Sequence, residues 1–239
     1  RPLGLAPEQI RLVKNDTAIT PNSGPAGGSR SQVMTGNAIK NGCELLMAAM
    51  RKPDGTYRTY QEMAEEKIPV TCSGAWTASM CTPCSLETSQ GSPFSVYMYG
   101  LFMAEVAVNT KTGKTTVEGF TVMADAGKIN NKLVVDGQIY GGVAQGIGLA
   151  LTEDFEDLKK HTSLHACGLP YCKDIPDKFD IYYVETPREH GPFGAAGVGE
   201  LPLTSSHVAV VNAIYDATGV RIRHLPALPE KVLAGLKAL

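Results

Sequence analysis

Charge of one sign is scarce in this 239-residue chain. Twenty-two Lys and Arg stand against 24 Asp and Glu, a formal net charge of −2. That balance leaves no electrostatic footprint for nucleic acid and no basic stripe for a membrane surface. Long hydrophobic runs are missing as well. None approaches the roughly 18 apolar residues of a membrane span, and no secretory signal is visible. The common catalytic signatures are missing too. There is no GxxxxGK[ST] loop to cradle a nucleotide's phosphates. No dinucleotide fingerprint follows a strand, which argues against a nicotinamide cofactor. No GxSxG elbow presents a serine nucleophile, and Ser29 has no adjacent His to activate it.

What is present fits a packed globular protein: 43% hydrophobic and 19% charged residues. The length is long for one domain and short for two large ones. The chain starts with Arg1-Pro2 rather than Met, so we expect either processing or a piece of something longer. Six cysteines occur: Cys43, Cys72, Cys81, Cys84, Cys167 and Cys172. Cys81-Thr-Pro-Cys84 has the CxxC spacing of metal and redox motifs, but a zinc site would want a second pair or nearby histidines. Cys167 and Cys172 pair poorly, although His161 and His165 precede them at i, i+4. Free thiols and a solvated histidine pair are the simpler expectation, and no metal-ligating set is assigned.

Along the chain, Ile10-Arg-Leu-Val13 reads as a short strand, with a turn starting at Asn15-Asp16. An irregular loop then leads to a helix over about residues 31–49, marked by Val33, Ile39, Cys43, Leu46, Met47 and Met50. Lys52–Thr56 is a turn. Thr59-Tyr-Gln-Glu62 is a capping box and predicts a short helix. Residues 68–95 lack a period and read as an exposed connection. Residues 96–108 and 115–124 predict two strands joined by the Asn109–Lys114 hairpin loop, with Gly113 in the left-handed region. A helix is expected over 137–151 with Gly142, Gly146 and Ala150 on one closely packing face. Residues 152–178 form a charged insertion, and Asp180–Val184 a strand. Thr204 or Ser205 is expected to cap a helix through Val208–Ala217, ended by Gly219. Pro229 stands near the start of a last helix over 228–236. Strands and helices mix without a βαβα rhythm, which predicts an α+β fold.

Four glycine-bearing segments stand out: 20–32, 124–131, 137–148 and 191–203. Glycine lets backbone approach a ligand closely. Such loops suit a large polar ligand held by amides and short hydroxyls. Arg30 adds a cation suited to a phosphate. Glu200 is the acid placed directly after Gly197-Val-Gly199, which makes it a candidate general base, desolvated by its packed surroundings. The plainer alternative is a carboxylate in the first turn of the next helix.

Three of these segments carry a family resemblance. Thr20-Pro-Asn-Ser-Gly-Pro-Ala-Gly-Gly-Ser-Arg-Ser-Gln32 resembles a cofactor loop of the molybdenum hydroxylases, the xanthine oxidase family. Asp136-Gly-Gln-Ile-Tyr-Gly-Gly-Val-Ala-Gln-Gly-Ile-Gly148 resembles the glutamine-bearing segment of that family, and Gly197-Val-Gly-Glu-Leu-Pro-Leu203 its catalytic glutamate segment. They occur in the family's order. Val96-Tyr-Met-Tyr-Gly100, Leu149-Ala-Leu-Thr-Glu-Asp-Phe-Glu-Asp157, Ile175-Pro-Asp-Lys178 and Gly219-Val-Arg-Ile-Arg223 are similar, more narrowly, to the bacterial molybdenum aldehyde oxidoreductases. Tyr140 departs from the many relatives that carry Glu there, which shifts the match toward the aldehyde branch.

The resemblance covers nearly the whole chain and implies the C-terminal part of a molybdenum cofactor-binding domain, residues 1–239, starting within that domain. The [2Fe–2S] domains and the first molybdenum subdomain of the family would lie upstream, on the same polypeptide or a companion subunit. It implies a molybdopterin cytosine dinucleotide cofactor. Gly28, Ser29, Arg30, Ser31 and Gln32 would contact its dinucleotide part. Lys128, Ile129, Asn130 and Asn131 would form a second contact loop, and Gln138 would lie near the pterin. Ala196, Gly197, Val198 and Gly199 would place backbone amides at the metal centre. Glu200 would be the base in oxidation of a small aldehyde to a carboxylic acid, with water as the oxygen source. Phe193 would either wall the substrate site or serve the core. The family further implies a homodimer, an electron acceptor such as flavodoxin or ferredoxin, and a cytoplasmic location, with the periplasm as alternative. Two other readings stay open. One is a xanthine- or nicotinate-type heteroaromatic hydroxylase using the same Glu200. The other is a non-catalytic piece that needs its upstream partner.

Overall fold

The computed structural model describes residues 5–13 and 16–239. The chain divides into two compact units, residues 1–95 and 96–239.

In the first unit the helical period over 31–50 produces α1 (Ser31–Met50), which buries Val33, Asn37 and Met50. The backbone of Gly74 lies directly on this helix. A Cβ on Gly74 would come within 2.0 Å of the Ala38 carbonyl oxygen. The Asn41 side chain fixes the crossing by accepting from the Ala75 amide at 3.1 Å. The capping box forms as expected and starts α2 (Tyr60–Glu65), whose Met63 is fully buried. Glu62 closes that box on the Thr59 amide and also takes Lys52 Nζ at 2.5 Å. The Lys52 bond, then those from Thr59, hold the Glu62 carboxyl down to about 2. Ile10-Arg-Leu-Val13 does not form the expected strand. Ile10, Leu12 and Val13 are exposed and no strand among the described residues pairs with them, so β-propensity alone has nothing to bond to there. The predicted turn is present from Asp16, whose carbonyl accepts from Ile19 and Thr20; Asn15 lies outside the described residues. Residues 68–95 are irregular and mostly exposed, as expected, with one isolated bridge between Thr82 and Ser92. All six cysteines are free.

The second unit is α+β. β1 (Tyr99–Val108) and β2 (Thr115–Asp125) form the expected antiparallel hairpin, and β3 (Lys178–Tyr183) pairs parallel to β2. The sheet is therefore mixed, in the order β1-β2-β3, and the chain passes through α3 (Lys132–Leu151) between β2 and β3. At the hairpin tip Gly113 has φ 76°, and a Cβ there would lie 1.9 Å from the Pro229 carbonyl oxygen. Only glycine meets both demands. The register shifts between Glu105 and Val106, where Glu118 of β2 has no partner. This bulge changes the parity of β2, so Val117 and Phe120 both reach the same buried face as Val122 and Ala124.

That face is covered by α3 and by α4 (Leu201–Thr218), with α5 (Pro229–Ala238) closing one end through Val232. On α3, Ile139, Gly142, Val143, Gly146, Ile147 and Ala150 are buried at helical spacing. On α4, Pro202, Ser206, Val210 and Ile214 repeat every fourth residue. The two helices meet through the predicted small face. A Cβ on Gly142 would lie 2.7 Å from Pro202, and one on Gly146 would lie 1.8 Å from Ser206 Oγ. The contact numbers rise together, so α3 and α4 run in the same direction. Two boundaries differ from expectation. α3 begins at Lys132, five residues early, because Asn131 caps it by accepting from the Val134 amide. α4 begins at Leu201 rather than after Thr204 or Ser205. Pro202 suits a first turn, and the Thr204 hydroxyl instead donates to the Leu201 carbonyl at 2.8 Å inside the helix. Between α3 and β3 the chain forms turns and one short 3-10 helix at Cys172–Asp174, and the turns at residues 161–165 give His161 and His165 no shared helical face. His161 lies 3.9 Å from Asp154, and His165 contacts the Tyr171 hydroxyl at 2.6 Å. Among the described residues no helix is long and apolar enough to cross a membrane.

Two outcomes follow. Gly146→Val overpacks the α3–α4 contact and is expected to cost about 1–3 kcal/mol in urea unfolding. Gly141→Ala, where a Cβ meets nothing within 4 Å, is expected to gain about 0.4–1 kcal/mol. Equal effects would refute the close-contact account. In the first unit, the depressed Glu62 pKa means its stabilisation is present above the ordinary Glu range and is lost as pH falls toward about 2. Glu62→Gln should flatten the acid limb of α2 protection in hydrogen exchange; an unchanged limb would contradict it.

Candidate functional site

The site of the second unit grows from the end of β2. Asp125 closes the strand, and Ala126 and Gly127 lead into the segment 128–131 before α3. A second segment, 185–200, runs from β3 to α4. The two are bonded along their length. Gly127 and Ala195 form an isolated antiparallel bridge. The Ala196 amide donates to Ala126 O at 2.7 Å, and the Lys128 amide donates to Gly194 O at 2.9 Å. The Ile129 amide donates to the Glu185 carboxylate at 3.1 Å. Gly127, at φ 70°, passes so close that a Cβ would lie 2.3 Å from Gly194 O.

Arg188 anchors this pair of segments. Its Nε donates to Tyr97 O at 2.8 Å, Nη1 to Thr186 O at 2.9 Å, and Nη2 to Asp125 O at 3.0 Å. Nη2 also lies 3.0 Å from Asp125 Oδ1, with the two side chains only 12% and 15% exposed. The guanidinium sits 5.4 Å from the Tyr99 ring centroid. Asp125 Oδ1 further accepts from the amides of Gly127 and Thr186, both at 3.2 Å. Burial alone would raise the Asp125 pKa. Hydrogen bonds from Thr186, Gly127 and Arg188 outweigh it and hold the carboxyl below the usual range. Breaking a largely buried pair of this kind costs about 3–5 kcal/mol, because one charge is left uncompensated.

Beyond this clamp, Ala195, Ala196, Gly197 and Val198 are buried while Gly199 and Glu200 are exposed. Glu200 occupies the N-cap position of α4. The plainer expectation for this residue therefore describes its position well. The expected desolvation is not found within this chain: Glu200 is exposed, although Leu201 and Pro202 directly after it are buried. The expected row of four amides is shortened by one, since Ala196 N–H is engaged by Ala126. The amides of Gly197, Val198 and Gly199 donate to no backbone carbonyl among the described residues. Phe193, with φ 54°, is 71% exposed, so it takes no core role here.

The parallel run of α3 and α4 brings Gln138 to the same end. It lies one turn before Gly142, whose partner Pro202 is two residues past Glu200. Gln138 is exposed, and its turn is fastened to β3. The Tyr183 hydroxyl donates to Asp136 Oδ1 at 2.6 Å, and Lys132 Nζ to Oδ2 at 2.6 Å. Lys132 first, then Tyr183, lower the Asp136 pKa. Burial, then Asp136, push the Tyr183 hydroxyl above its ordinary range. Tyr140 packs its ring edge on Phe179 at 4.7 Å.

In the first unit, Gly28 (φ 68°) and Ser29 (φ 55°) turn the chain into α1. Ser31 and Gln32 follow as exposed first-turn residues, and Arg30 stands at the N-cap position. Arg30 is not simply an outward cation. Its Nη1 donates to the carbonyls of Ser23 (3.3 Å) and Pro25 (3.1 Å), which braces the loop. The segments 127–131, 138 and 194–200 are thus gathered in one unit, and 28–32 forms a contiguous surface in the other.

The chain matches the model of the molybdopterin cofactor-binding domain over residues 1–176. It belongs to that family. The resemblance carried by the motifs is thereby shown at family level. The chain is 62% identical over 238 residues to an aldehyde oxidoreductase of Megalodesulfovibrio gigas, covering 100% of itself and 26% of that protein. Among solved structures it matches the aldehyde oxidoreductase of Desulfovibrio gigas at 61% identity with TM-score 0.96, over 99% of this chain and 26% of that one. It also matches the aldehyde oxidoreductase of Desulfovibrio desulfuricans ATCC 27774 at 62% identity with TM-score 0.94, over 98% and 26%. The chain thus spans about a quarter of the length of these relatives.

The residues fit a molybdopterin-type group. In the second unit, amides at Gly197–Gly199 with no backbone acceptor among the described residues, the helix start at Leu201 and the neutral Gln138 side chain are donors of the kind that a polar heterocycle takes. Among the described residues no three His, Cys, Asp or Glu side chains gather to hold a bare metal ion. The motifs did not single out Arg188, Asp125 or Glu185. The available signals were an Asp closing a strand just before Gly127 and an Arg just before the glycine-rich run.

Tyr183→Phe removes one of the two bonds holding Asp136. The expected loss is about 1 kcal/mol at neutral pH. A depressed carboxylate stabilises above its unfolded pKa and loses that contribution as pH falls through the folded one. The variant has less to lose, so its stability should fall less steeply under acid. Parallel stability–pH curves from urea unfolding would rule this out.

Proposed function

We propose that this chain supplies part of the cofactor-holding region of a molybdenum-dependent oxidoreductase that converts aldehydes to carboxylic acids. The observation that carries the reading is Glu200 at the start of α4, beside three unengaged amides and at the same end as Gln138. Identity of 62% along the whole chain to an aldehyde oxidoreductase supports the aldehyde over a heteroaromatic substrate. When bound, the molybdenum cofactor supplies the two-electron redox step, with oxygen taken from water.

The chain's own residues bind, orient and move a proton. Gly28, Ser29, Arg30, Ser31 and Gln32 hold the dinucleotide portion through short hydroxyls, a guanidinium, a side-chain amide and backbone donors, with Arg30 also bracing their loop. A cytosine dinucleotide is the form the motifs favour. Lys128, Ile129, Asn130 and Asn131 line a second contact. Gln138 offers both a donor and an acceptor to the pterin edge. Gly197, Val198 and Gly199 present amides near the metal, while Ala196 fixes their position through Ala126. Glu200 takes the proton from the attacking water oxygen.

Iron–sulfur clusters that carry electrons away, the rest of the substrate pocket, and any flavodoxin- or ferredoxin-like acceptor belong to the remaining part of the whole enzyme, which we take to be a homodimer.

Glu200→Gln in the whole enzyme keeps the side-chain shape and removes the base. Turnover should fall by about 10²–10⁴-fold with molybdenum content unchanged, measured by steady-state aldehyde oxidation and metal analysis. Full turnover in that variant would sink the assignment.

A further inference from the structure

We propose that Arg188, clamped to Asp125, is a positioning residue that aims Glu200 by locking segments 127–131 and 194–200 to the sheet. The inference rests on the reading of Glu200 as the base, but its geometry stands apart. One guanidinium meets three carbonyls and one carboxylate, drawn from the approach to β1 (Tyr97), the end of β2 (Asp125) and its own segment (Thr186). Its backbone continues the lock. The Arg188 amide donates to Gly194 O at 3.0 Å, the same carbonyl that takes the Lys128 amide. The Gly191 amide in turn donates to Arg188 O at 3.1 Å. From that carbonyl the chain passes through Ala195, bridged to Gly127, and Ala196, bonded to Ala126, directly to the three open amides and Glu200. The remaining backbone bonds between Arg188 and Val198 belong to one short 3-10 turn at Pro192–Gly194, where the Gly194 and Ala195 amides donate to Gly191 O and Pro192 O, so the clamp ties this turn to the sheet.

Lysine cannot replace this fork. An ammonium is a point donor on a flexible stem, whereas a planar guanidinium meets several fixed acceptors together. A misplacement of about 1 Å in a catalytic group can cost roughly 10²-fold in rate. Arg188 touches no reacting atom in this scheme. Its effect is expected in kcat, through the aim of Glu200 and the amides.

The test uses the whole enzyme carrying Arg188→Lys. The expected result has three parts. Molybdenum and pterin content remain unchanged. kcat falls about 10–10²-fold while KM shifts little. Hydrogen exchange accelerates at amides 127–129 and 194–196 and stays unchanged in β1, β2, α3 and the body of α4. If kcat stays within about twofold of the parent, the aim of Glu200 does not depend on the fork and the proposal is overturned. Loss of cofactor, or faster exchange throughout residues 96–239, makes Arg188 merely structural and overturns it equally. If Arg188→Lys does not fold, Asp125→Asn is read in the same way. It keeps an acceptor oxygen for Gly127 and Thr186 and removes the charge facing Arg188. The Glu200→Gln result separates the two claims. Full turnover there removes the base reading, while the exchange pattern of Arg188→Lys still reports whether the clamp orders both segments.

Discussion

The close contact between α3 and α4 is the constraint on which the rest of the second unit depends. Gly142 and Gly146 leave no room for side chains because Pro202 and Ser206 occupy it. Two helices that approach this closely and run in one direction must present their starts at one end. That end receives Gln138 from α3 and Glu200 from α4. The same contact lets both helices lie on one face of a three-stranded sheet, where Phe120, Val122, Ile139, Val143, Val210 and Ile214 form a continuous core. Polar groups are thereby pushed to the helix starts, where open amides already wait. The position of the site is a consequence of packing.

Much of this fold was legible because local signals agreed with the final environment. The Thr59–Glu62 box, the Asn109–Lys114 hairpin and the spacing of apolar residues in α1 each name their structure without reference to distant contacts. The small-residue face of α3 was legible as a packing surface, although its partner was not. Ile10–Val13 failed because alternation predicts a strand only where another strand supplies bonds. The start of α4 was misplaced because a serine or threonine is the usual cap. Here a glutamate takes the position and Pro202 sets the first turn.

The candidate site was legible in a different way. Glycines mark where backbone must come close, so segments 124–131 and 191–203 could be named from sequence. Their mutual bonding could not, since Gly127 and Ala195 are joined only through the fold. Arg188 and Asp125 carry no motif at all. An arginine that satisfies backbone carbonyls looks, in sequence, like any surface arginine. Arg30 reads in sequence as a cation suited to a phosphate; that its Nη1 also braces the carbonyls of its own loop is a contact only the fold reveals.

Burial along the segment before α4 divides its labour. Ala195 to Val198 are buried and tied to β2 through Ala126, which removes the freedom that a glycine-rich run would otherwise have. Gly199 and Glu200 then emerge. A general base needs access to a proton and a fixed direction of approach, and these demands conflict for a side chain on a loose loop. In the proposed reading of Glu200 as the base, the fixed direction comes from the clamped segment before it, and the access comes from the exposed Gly199 and Glu200. Glu200 is anchored from behind, through the helix it starts and the clamped segment it follows, while its side chain lies at the surface. A desolvated glutamate sunk in the core would have kept the direction and lost the access.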